Sequence, residues 1–575
     1  MFSYRLRLLS IFIFLSFLIL ILTLFSFQVI HSSHYKNLSI RNAVRIIPLK
    51  APRGTIYDRN QLPLAKDEIS FDLVVMPQEV DDLDKVLDAL EKITGIDKDI
   101  LKNNYKKNYR LPFVPVNLAT DINPKRAFRI EERLSGTQGV FIRTEPMRRY
   151  PNGRVASHVI GYVGKIAEGE FKHLKDYGYK VRDFVGKNGV EKHYDVYLQG
   201  EDGGKSIEVD AKSRQIAELG LKKPTKGKDV TLTIDLRLQR FLDMLFEDNK
   251  GSMIVMNAKT GQILGMLSAP EFDPNIFISG TNAARLALLR DKSKPLLNRA
   301  ISGTYPPGST FKIVVATAGV ATGAVNNTTT FLCNGYFKLG NRKWKCWKSS
   351  GHGYQNVKDA LIHSCNVFFY NLGSALGAEG LHRYSTLFGL GVLTEVDLPG
   401  EVKGVAPGPI WKRFFLKQSW YKGDTINYSI GQGYLLVTPI QMLKVVTIAA
   451  NGGYCPQPYL VEKIANRNTS LKKTYSTRIS SIFFEIIRDG LFRVVNSETG
   501  TGQNAKVKDL DICGKTGTAQ PGTKGDTHAW FCGYVPSKDP KISFVVFLEH
   551  GGKGGADAAR MARLLGLYLK ENGFL

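Results

Sequence analysis

The first apolar feature of the chain is continuous rather than periodic: residues 8 to 30 are 23 uncharged positions dominated by Leu, Ile and Phe. At ~1.5 Å rise per residue, a helix of that length spans the ~30 Å hydrocarbon layer of a bilayer. The run is too long for a signal-peptide core, and no small-x-small cleavage pattern follows it. One uncleaved transmembrane helix is therefore expected, and the remaining sequence offers no second span. Arg5 and Arg7 precede it while Lys36, Arg41, Arg45 and Lys50 follow, so the distribution of cations leaves the orientation open.

Beyond the span the pattern turns periodic. Over residues 31–225, short β-rich pieces ("FDLVVMP", "SHVIGYVGKI", "KSIEVDA") alternate with charged helical stretches such as "EVDDLDKVLDALEKITG". The lysine-rich "GLKKPTKGKD", residues 220–229, reads as a linker. A second unit then opens with "VTLTIDLRLQRFLDMLFE", a strand followed by an amphipathic helix. Two apolar strands flank Ala258-Lys259-Thr260-Gly261 as a hairpin. "HAWFCGYVP" and "KISFVVFLEH" form a second antiparallel pair, and "DAARMARLLGLYLKENG" closes the chain as a helix. Strands at both ends with helices between them predict an antiparallel sheet flanked by helices, its edges supplied by distant parts of the chain. The expected architecture is an α+β multidomain protein: a tail and transmembrane helix (1–30), an elongated mixed α/β pedestal (31–225) and a C-terminal domain (226–575).

A length of 575 residues agrees with two or three domains, and 43% apolar with 23% charged residues is an ordinary globular balance. The formal charge of +26 is not ordinary and calls for an anionic partner. No basic run is interleaved with aromatics, which argues against nucleic acid and for a membrane surface or an anionic substrate.

Three short motifs carry candidate chemistry. In "YPPGSTFKIVVATAGVA" the Pro306-Pro307-Gly308 breaker precedes an apolar run, so a helix starts near Ser309 and places Lys312 one turn away. A serine hydroxyl needs a base to become a nucleophile, and a buried lysine supplies one when its pKa falls. Backbone N–H groups at the helix start are also suited to an oxyanion. Ser364-Cys365-Asn366 forms an S-x-N triplet, and Lys515-Thr516-Gly517-Thr518 forms K-T-G-T just ahead of the C-terminal strand pair. Each is commonplace alone, as a turn or a core residue. In this order within one domain they are the signature of serine β-lactamases and penicillin-binding proteins.

The chain resembles a class B penicillin-binding protein, and within that class the elongation group, penicillin-binding protein 2. The likeness extends beyond the three motifs to "PRGTIYDRNQLPLA", "RRYPNGRVASHVIGYVG", "GKNGVEKHYDVYLQGEDG" and "IGQGYLLVTPIQM". The resemblance implies that Ser309 attacks the penultimate D-alanine carbonyl of a stem peptide, with Lys312 as general base. It implies that Ser364, bonded to Lys312 and Lys515, relays a proton to the leaving amine, and that Asn366 holds the donor amide. Lys515, Thr516, Gly517 and Thr518 would form the strand edge that takes the terminal carboxylate. The backbone N–H groups of Ser309 and Thr518 would make the oxyanion hole. β-Lactams would acylate Ser309. The same resemblance implies an extracytoplasmic catalytic domain, an inner-membrane anchor and a SEDS-type glycosyltransferase partner.

One further cluster stands out. Cys333, Cys346, His352 and Cys365 follow a C-x12-C-x5-H-x12-C spacing, and the last lies inside the S-x-N triplet. A structural zinc, a Cys333–Cys346 disulfide and unrelated core residues are the three readings. Zinc accounts for His352 and for the position of Cys365. Some relatives in the resembled group carry a metal here with carboxylate ligands, and the cysteines of this chain make a softer, more zinc-like set. Cys455, Cys513 and Cys532 read as buried small hydrophobes. Three functions compete with an elongation transpeptidase: a septal paralogue, a D,D-carboxypeptidase or β-lactamase-type hydrolase, and a β-lactam sensor.

Overall fold

In the computed structural model the described residues are 2–112, 114–134, 137–167, 169–170, 172, 184–210, 215–469, 473–521 and 526–575. Residues Phe2–Phe25 form one helix that runs into a wider turn at Ser26–Ile30. Among the described residues, Tyr4–Ile30 is the one helical stretch long and apolar enough to cross a membrane. Its hydroxyls are satisfied internally: Ser10, Ser16 and Thr23 donate to the carbonyls of Leu6, Phe12 and Leu20 at 2.8–2.9 Å. Hydrocarbon offers no other partner for them.

The chain divides into two compact units. The first comprises residues 1–53, 67–147 and 199–227. Its helix Leu83–Thr94 is the one expected from "DDLDKVLDALEKITG", capped by the Asp82 carboxylate on the Lys85 N–H and ended by Gly95 at φ 62°. Leu87 and Leu90 of this helix join Leu73, Val75, Val116 and Leu118 of an antiparallel strand pair in one small core. A separate three-stranded sheet orders Val44–Leu49, Gly203–Val209 and Gln215–Lys222 side by side. Here the linker reading is corrected, because Gly220, Leu221 and Lys222 pair with Ser206, Lys205 and Gly204. Lysines and a glycine are tolerated there since the strand is at a sheet edge, where side chains reach solvent. The last residue of "KSIEVDA", Ala211, lies outside the described residues.

The second unit comprises residues 54–66, 148–198 and 228–575. "SHVIGYVGKI" is not all strand: Ser157–Ile160 is a helical turn, and the strand is Val163–Lys165. Ala156 enters that turn at φ 61°, and the four turn residues are buried, so packing overrides their β-branched character. Nearby, Arg148 and Glu191 form a buried ion pair at 2.6 Å, and Glu191 also accepts from the Tyr150 hydroxyl at 3.3 Å.

At the centre of this unit is a five-stranded antiparallel sheet in the order Ile263–Ala269, Gly251–Asn257, Ile542–Leu548, His528–Val535, Cys513–Ala519. The 251–269 hairpin and the C-terminal pair are those expected, and segments far apart in sequence provide the two edges. Both faces are covered, which the strands express by alternation. Ile254, Met256, Val545 and Phe547 enter one core, while Met253, Val255, Phe544 and Val546 enter the other together with Leu565 of the terminal helix Ala559–Glu571. Two short helices, Lys312–Ala321 and Pro439–Ala450, are apolar on nearly every side and lie buried. The second starts with a reciprocal capping box between Thr438 and Gln441.

Candidate active site

The three motifs converge on one cleft of about 680 Å³ that is lined by Ser309, Ser364, Asn366, Thr516 and Thr518. Ser309 sits in a single 3-10 turn, Gly308–Phe311, and the α-helix proper starts at Lys312. This tighter start refines the expected helix boundary, and it stacks positions three apart nearly in register. Gly308 adopts φ +55°, and a Cβ there would lie 2.6 Å from the Thr518 carbonyl oxygen. Its N–H donates to Gly431 O at 3.0 Å, and Gly431, at φ +74°, would meet the Gly308 oxygen at 2.1 Å if it carried a Cβ. Two glycines thus let the Ser309 turn press against the edge strand Cys513–Ala519.

Lys312 is fully buried, and its ammonium donates to Asn366 Oδ1 at 2.7 Å, Ser364 O at 2.9 Å and Ser364 Oγ at 3.3 Å. Burial pushes its pKa down to about 8, against a smaller opposing pull from Cys365 and Cys346. Ser364 accommodates that contact with a left-handed backbone, φ 51°, which costs a non-glycine residue roughly 1–2 kcal/mol. Cys365 then holds the N-cap position of a helix that starts at Asn366 and breaks at Gly377, where φ is 69°.

Lys515 is also fully buried, and burial followed by the charge of Lys312 holds its pKa well below the ordinary lysine range. The expected Ser364–Lys515 hydrogen bond is not formed: Lys515 donates to the Thr516 carbonyl at 3.3 Å. Among the described residues Ser309 Oγ makes no hydrogen bond, and the Lys312 ammonium hydrogens are directed to Ser364 and Asn366. Motif spacing indicates proximity but not which acceptor wins when several surround one amine.

Residues outside the motifs complete the cleft. Thr516 Oγ1 donates to Thr501 Oγ1 at 3.2 Å, and Gly554 N donates to Thr518 Oγ1 at 3.2 Å. Lys345, the last residue of strand Arg342–Lys345, also lines it, with Trp347 and Lys553. Lys345 and Trp347 flank Cys346 of the cysteine–histidine pattern, but that spacing gives no signal of which cleft they line. No Asp or Glu lines the cleft among the described residues.

Beneath Ser364 the four-residue cluster is assembled. The ligand atoms of Cys333, Cys346, His352 and Cys365 all lie within 4.8 Å of one another, with the three cysteines buried. His352 Nδ1 is 3.5 Å from the Cys333 sulfur and 3.6 Å from that of Cys346, while its Nε2 is buried without a partner. The hydrogen bond between Cys365 and Cys346 holds the Cys346 thiol down, to about 4, and pushes the Cys365 thiol up. All six cysteines are free thiols. Burial raises Cys455 and Cys513 to about 12 and Cys532 further, as inert core residues.

Comparisons with known proteins agree with this geometry. Residues 251–565 match the penicillin-binding protein transpeptidase domain, and residues 48–232 match the penicillin-binding protein dimerisation domain. The chain is 35% identical to the peptidoglycan D,D-transpeptidase MrdA of Acinetobacter baumannii over 567 residues, covering 93% of this chain and 83% of that one. It is 32% identical to MrdA of Escherichia coli strain K12 over 577 residues, covering 95% and 91%. The penicillin-binding protein 2 of Helicobacter pylori, solved in complex with MreC, superposes with a TM-score of 0.83 at 31% identity, over 92% of this chain and all of that one. The chain belongs to the class B penicillin-binding proteins, in the penicillin-binding protein 2 group, and is a serine-type peptidoglycan D,D-transpeptidase.

Proposed function

We propose that this protein crosslinks peptidoglycan stem peptides during cell elongation through an acyl-enzyme on Ser309. The observation that carries the assignment is the convergence of Ser309, Ser364, Asn366, Thr516 and Thr518 on one cleft, with the buried Lys312 bonded to Ser364 and Asn366 behind it. The donor peptide adds as a further strand along the open edge of Cys513–Ala519, whose outer backbone groups are left unpaired by the sheet. Its terminal carboxylate meets Lys515, Thr516 and Thr518, and that negative charge draws a proton onto Lys515. A proton on Lys515 in turn disfavours a second positive charge on Lys312, as neighbouring like charges do. The neutral Lys312 takes the Ser309 proton as Oγ bonds the penultimate carbonyl carbon. Oxyanion charge collects at the Ser309 and Thr518 N–H groups. Ser364 relays the proton to the departing D-alanine amine, and Asn366 holds the donor amide.

Among the described residues no carboxylate lines the cleft, which favours a transferase over a hydrolase, because deacylation by water needs an added base there. β-Lactams accordingly trap Ser309 as a slow ester. The septal alternative has no observation in its favour. Substrate outside the cytoplasm sets the orientation: short N-terminal tail inside, residues 31–575 outside, with 31–225 as pedestal and 226–575 as transpeptidase domain. A SEDS-type glycosyltransferase is the expected partner, and the Helicobacter pylori complex supports contact with MreC as well.

The Cys333–Cys346–His352–Cys365 cluster fits a structural zinc. Zn–S of ~2.3 Å and Zn–N of ~2.05 Å at tetrahedral angles require S···N edges of about 3.5 Å, and His352 Nδ1 lies 3.5 and 3.6 Å from two of the sulfurs. Three thiolates and an imidazole fill four positions, so the ion would hold the Ser364–Asn366 backbone in place and take no part in the reaction. The experiment that tests the nucleophile is intact-mass measurement after incubation with penicillin. One adduct per wild-type chain and none on Ser309→Ala is expected, and labelling that persists in the variant overturns the assignment.

A further inference from the structure

The donor peptide accounts for Ser309, Asn366 and the Thr516–Thr518 edge, but not for the wall contributed by the segment around Cys346. Lys345 and Trp347 flank that cysteine and line the same cleft. Trp347 is 60% exposed, yet it is fixed in place. Its indole N–H donates to the His363 carbonyl at 2.9 Å, one residue before Ser364, and its ring packs edge-on to His352 at 5.2 Å. His352 in turn stacks on His363 with ring planes 8° apart, and Cys346 N donates to Gly335 O at 2.8 Å. A large exposed aromatic held this rigidly loses little entropy on binding a ligand against its face. Lys345 beside it is exposed and makes no ion pair among the described residues.

We propose that Trp347 and Lys345 form the acceptor subsite, resting on the reading of Ser309 as the acylated residue. The ligand is the second stem peptide, a short chain bearing carboxylates and one free side-chain amine. Its backbone and aliphatic side chains lie on the indole, which also displaces water from the ester, and its carboxylate pairs with Lys345. The amine nitrogen bonds to the acyl carbon and the bond from that carbon to Ser309 Oγ breaks. The proton lost by the amine passes through Ser364 and Lys312 to Ser309 Oγ, restoring the hydroxyl. Nothing is oxidised or reduced. The choice between crosslinking and hydrolysis is then made on this wall, since an unheld amine competes poorly with bulk water.

The test uses the full-length protein in detergent, a synthetic donor peptide ending in D-Ala-D-Ala, and an acceptor tetrapeptide with a free side-chain amine. Wild type, Trp347→Ala, Trp347→Phe and Lys345→Ala are compared for penicillin acylation rate, acceptor KM, crosslink-to-hydrolysis ratio and bound zinc. For Trp347→Ala the acceptor KM is expected to rise about tenfold or more, as for a buried aromatic anchor. The crosslink-to-hydrolysis ratio falls in proportion, acylation changes far less, and zinc content stays at the wild-type level. Trp347→Phe restores most of the loss. Lys345→Ala raises the acceptor KM about fivefold at low salt, a difference that shrinks at high salt. An unchanged crosslink-to-hydrolysis ratio overturns the proposal, as does a loss of acylation parallel to the loss of crosslinking. Failure of the wild type to acylate at Ser309 refutes the reading beneath it instead.

Discussion

Lys312 and Asn366 are joined by a 2.7 Å hydrogen bond from the buried ammonium to the side-chain carbonyl, linking two motifs 54 residues apart. Acceptor bonds favour the charged amine, whereas burial disfavours it, and burial wins. With a pKa of about 8, about a tenth of Lys312 is neutral at pH 7, and the neutral share grows as pH rises. The second-order rate of penicillin acylation should therefore climb about tenfold between pH 7 and a plateau above pH 9. Lys312→Arg, permanently protonated, should lose acylation by at least about a thousandfold. In Asn366→Ala the plateau should fall, and the limb should move to lower pH, because an acceptor that stabilises the charge has gone. Stopped-flow acylation across pH 6–10 measures both, and a limb that moves to higher pH contradicts the argument.

Gly308 offers a steric test. Gly308→Ala places a methyl 2.6 Å from the Thr518 carbonyl at φ +55°. The expected result is a loss of acylation of about a hundredfold, the usual consequence of shifting a nucleophile by ~1 Å. Gly323→Ala is the comparator: its φ is +73° with nothing within 4 Å of the added carbon. It should cost only the backbone strain of roughly 1 kcal/mol in a denaturation curve and leave acylation near wild type.

The zinc proposed for the cysteine–histidine cluster is tested by metal content. Protein purified without chelator should hold about one zinc per chain, and Cys333→Ser or His352→Ala should bind less than about a tenth of that. Loss of the metal should reduce stability by roughly 4 kcal/mol or more and slow acylation, since Cys365 anchors the Ser364–Asn366 backbone. Mass spectrometry for zinc and chemical denaturation supply the two readings. A metal-free preparation with full stability and full acylation would refute the zinc.

The buried Arg148–Glu191 pair predicts a purely structural effect. Glu191→Ala leaves a guanidinium in the interior with its main acceptor removed, beside Tyr150, which also loses one. A destabilisation of about 3–5 kcal/mol is expected. Penicillin acylation per folded molecule should be unchanged, since no member of the pair lines the cleft.

Local order was largely readable before any coordinates. The uncharged run at residues 8–30 and the 251–269 hairpin express rules that operate within a few residues, and both form as a helix and a strand pair. Where reading failed, a distant partner intervened. "GLKKPTKGKD" looks unstructured because its composition is polar, yet its first residues are a strand once Gly203–Val209 presents an edge. "SHVIGYVGKI" reads as β because of its valines and isoleucine, yet burial around Ala156 turns it into a helical turn.

The sequence by itself determined the apolar N-terminal helix, the 251–269 hairpin and the order of the three motifs. Tertiary structure alone decided that Lys312 turns to Ser364 and Asn366, that burial lowers the Lys515 pKa, and that Lys345 and Trp347 share a cleft with Ser309. The physical reason is one of range. Helix and strand periodicity depends on neighbours a few bonds away, whereas hydrogen-bond choice and desolvation depend on what packs around a group, and packing brings together residues hundreds of positions apart.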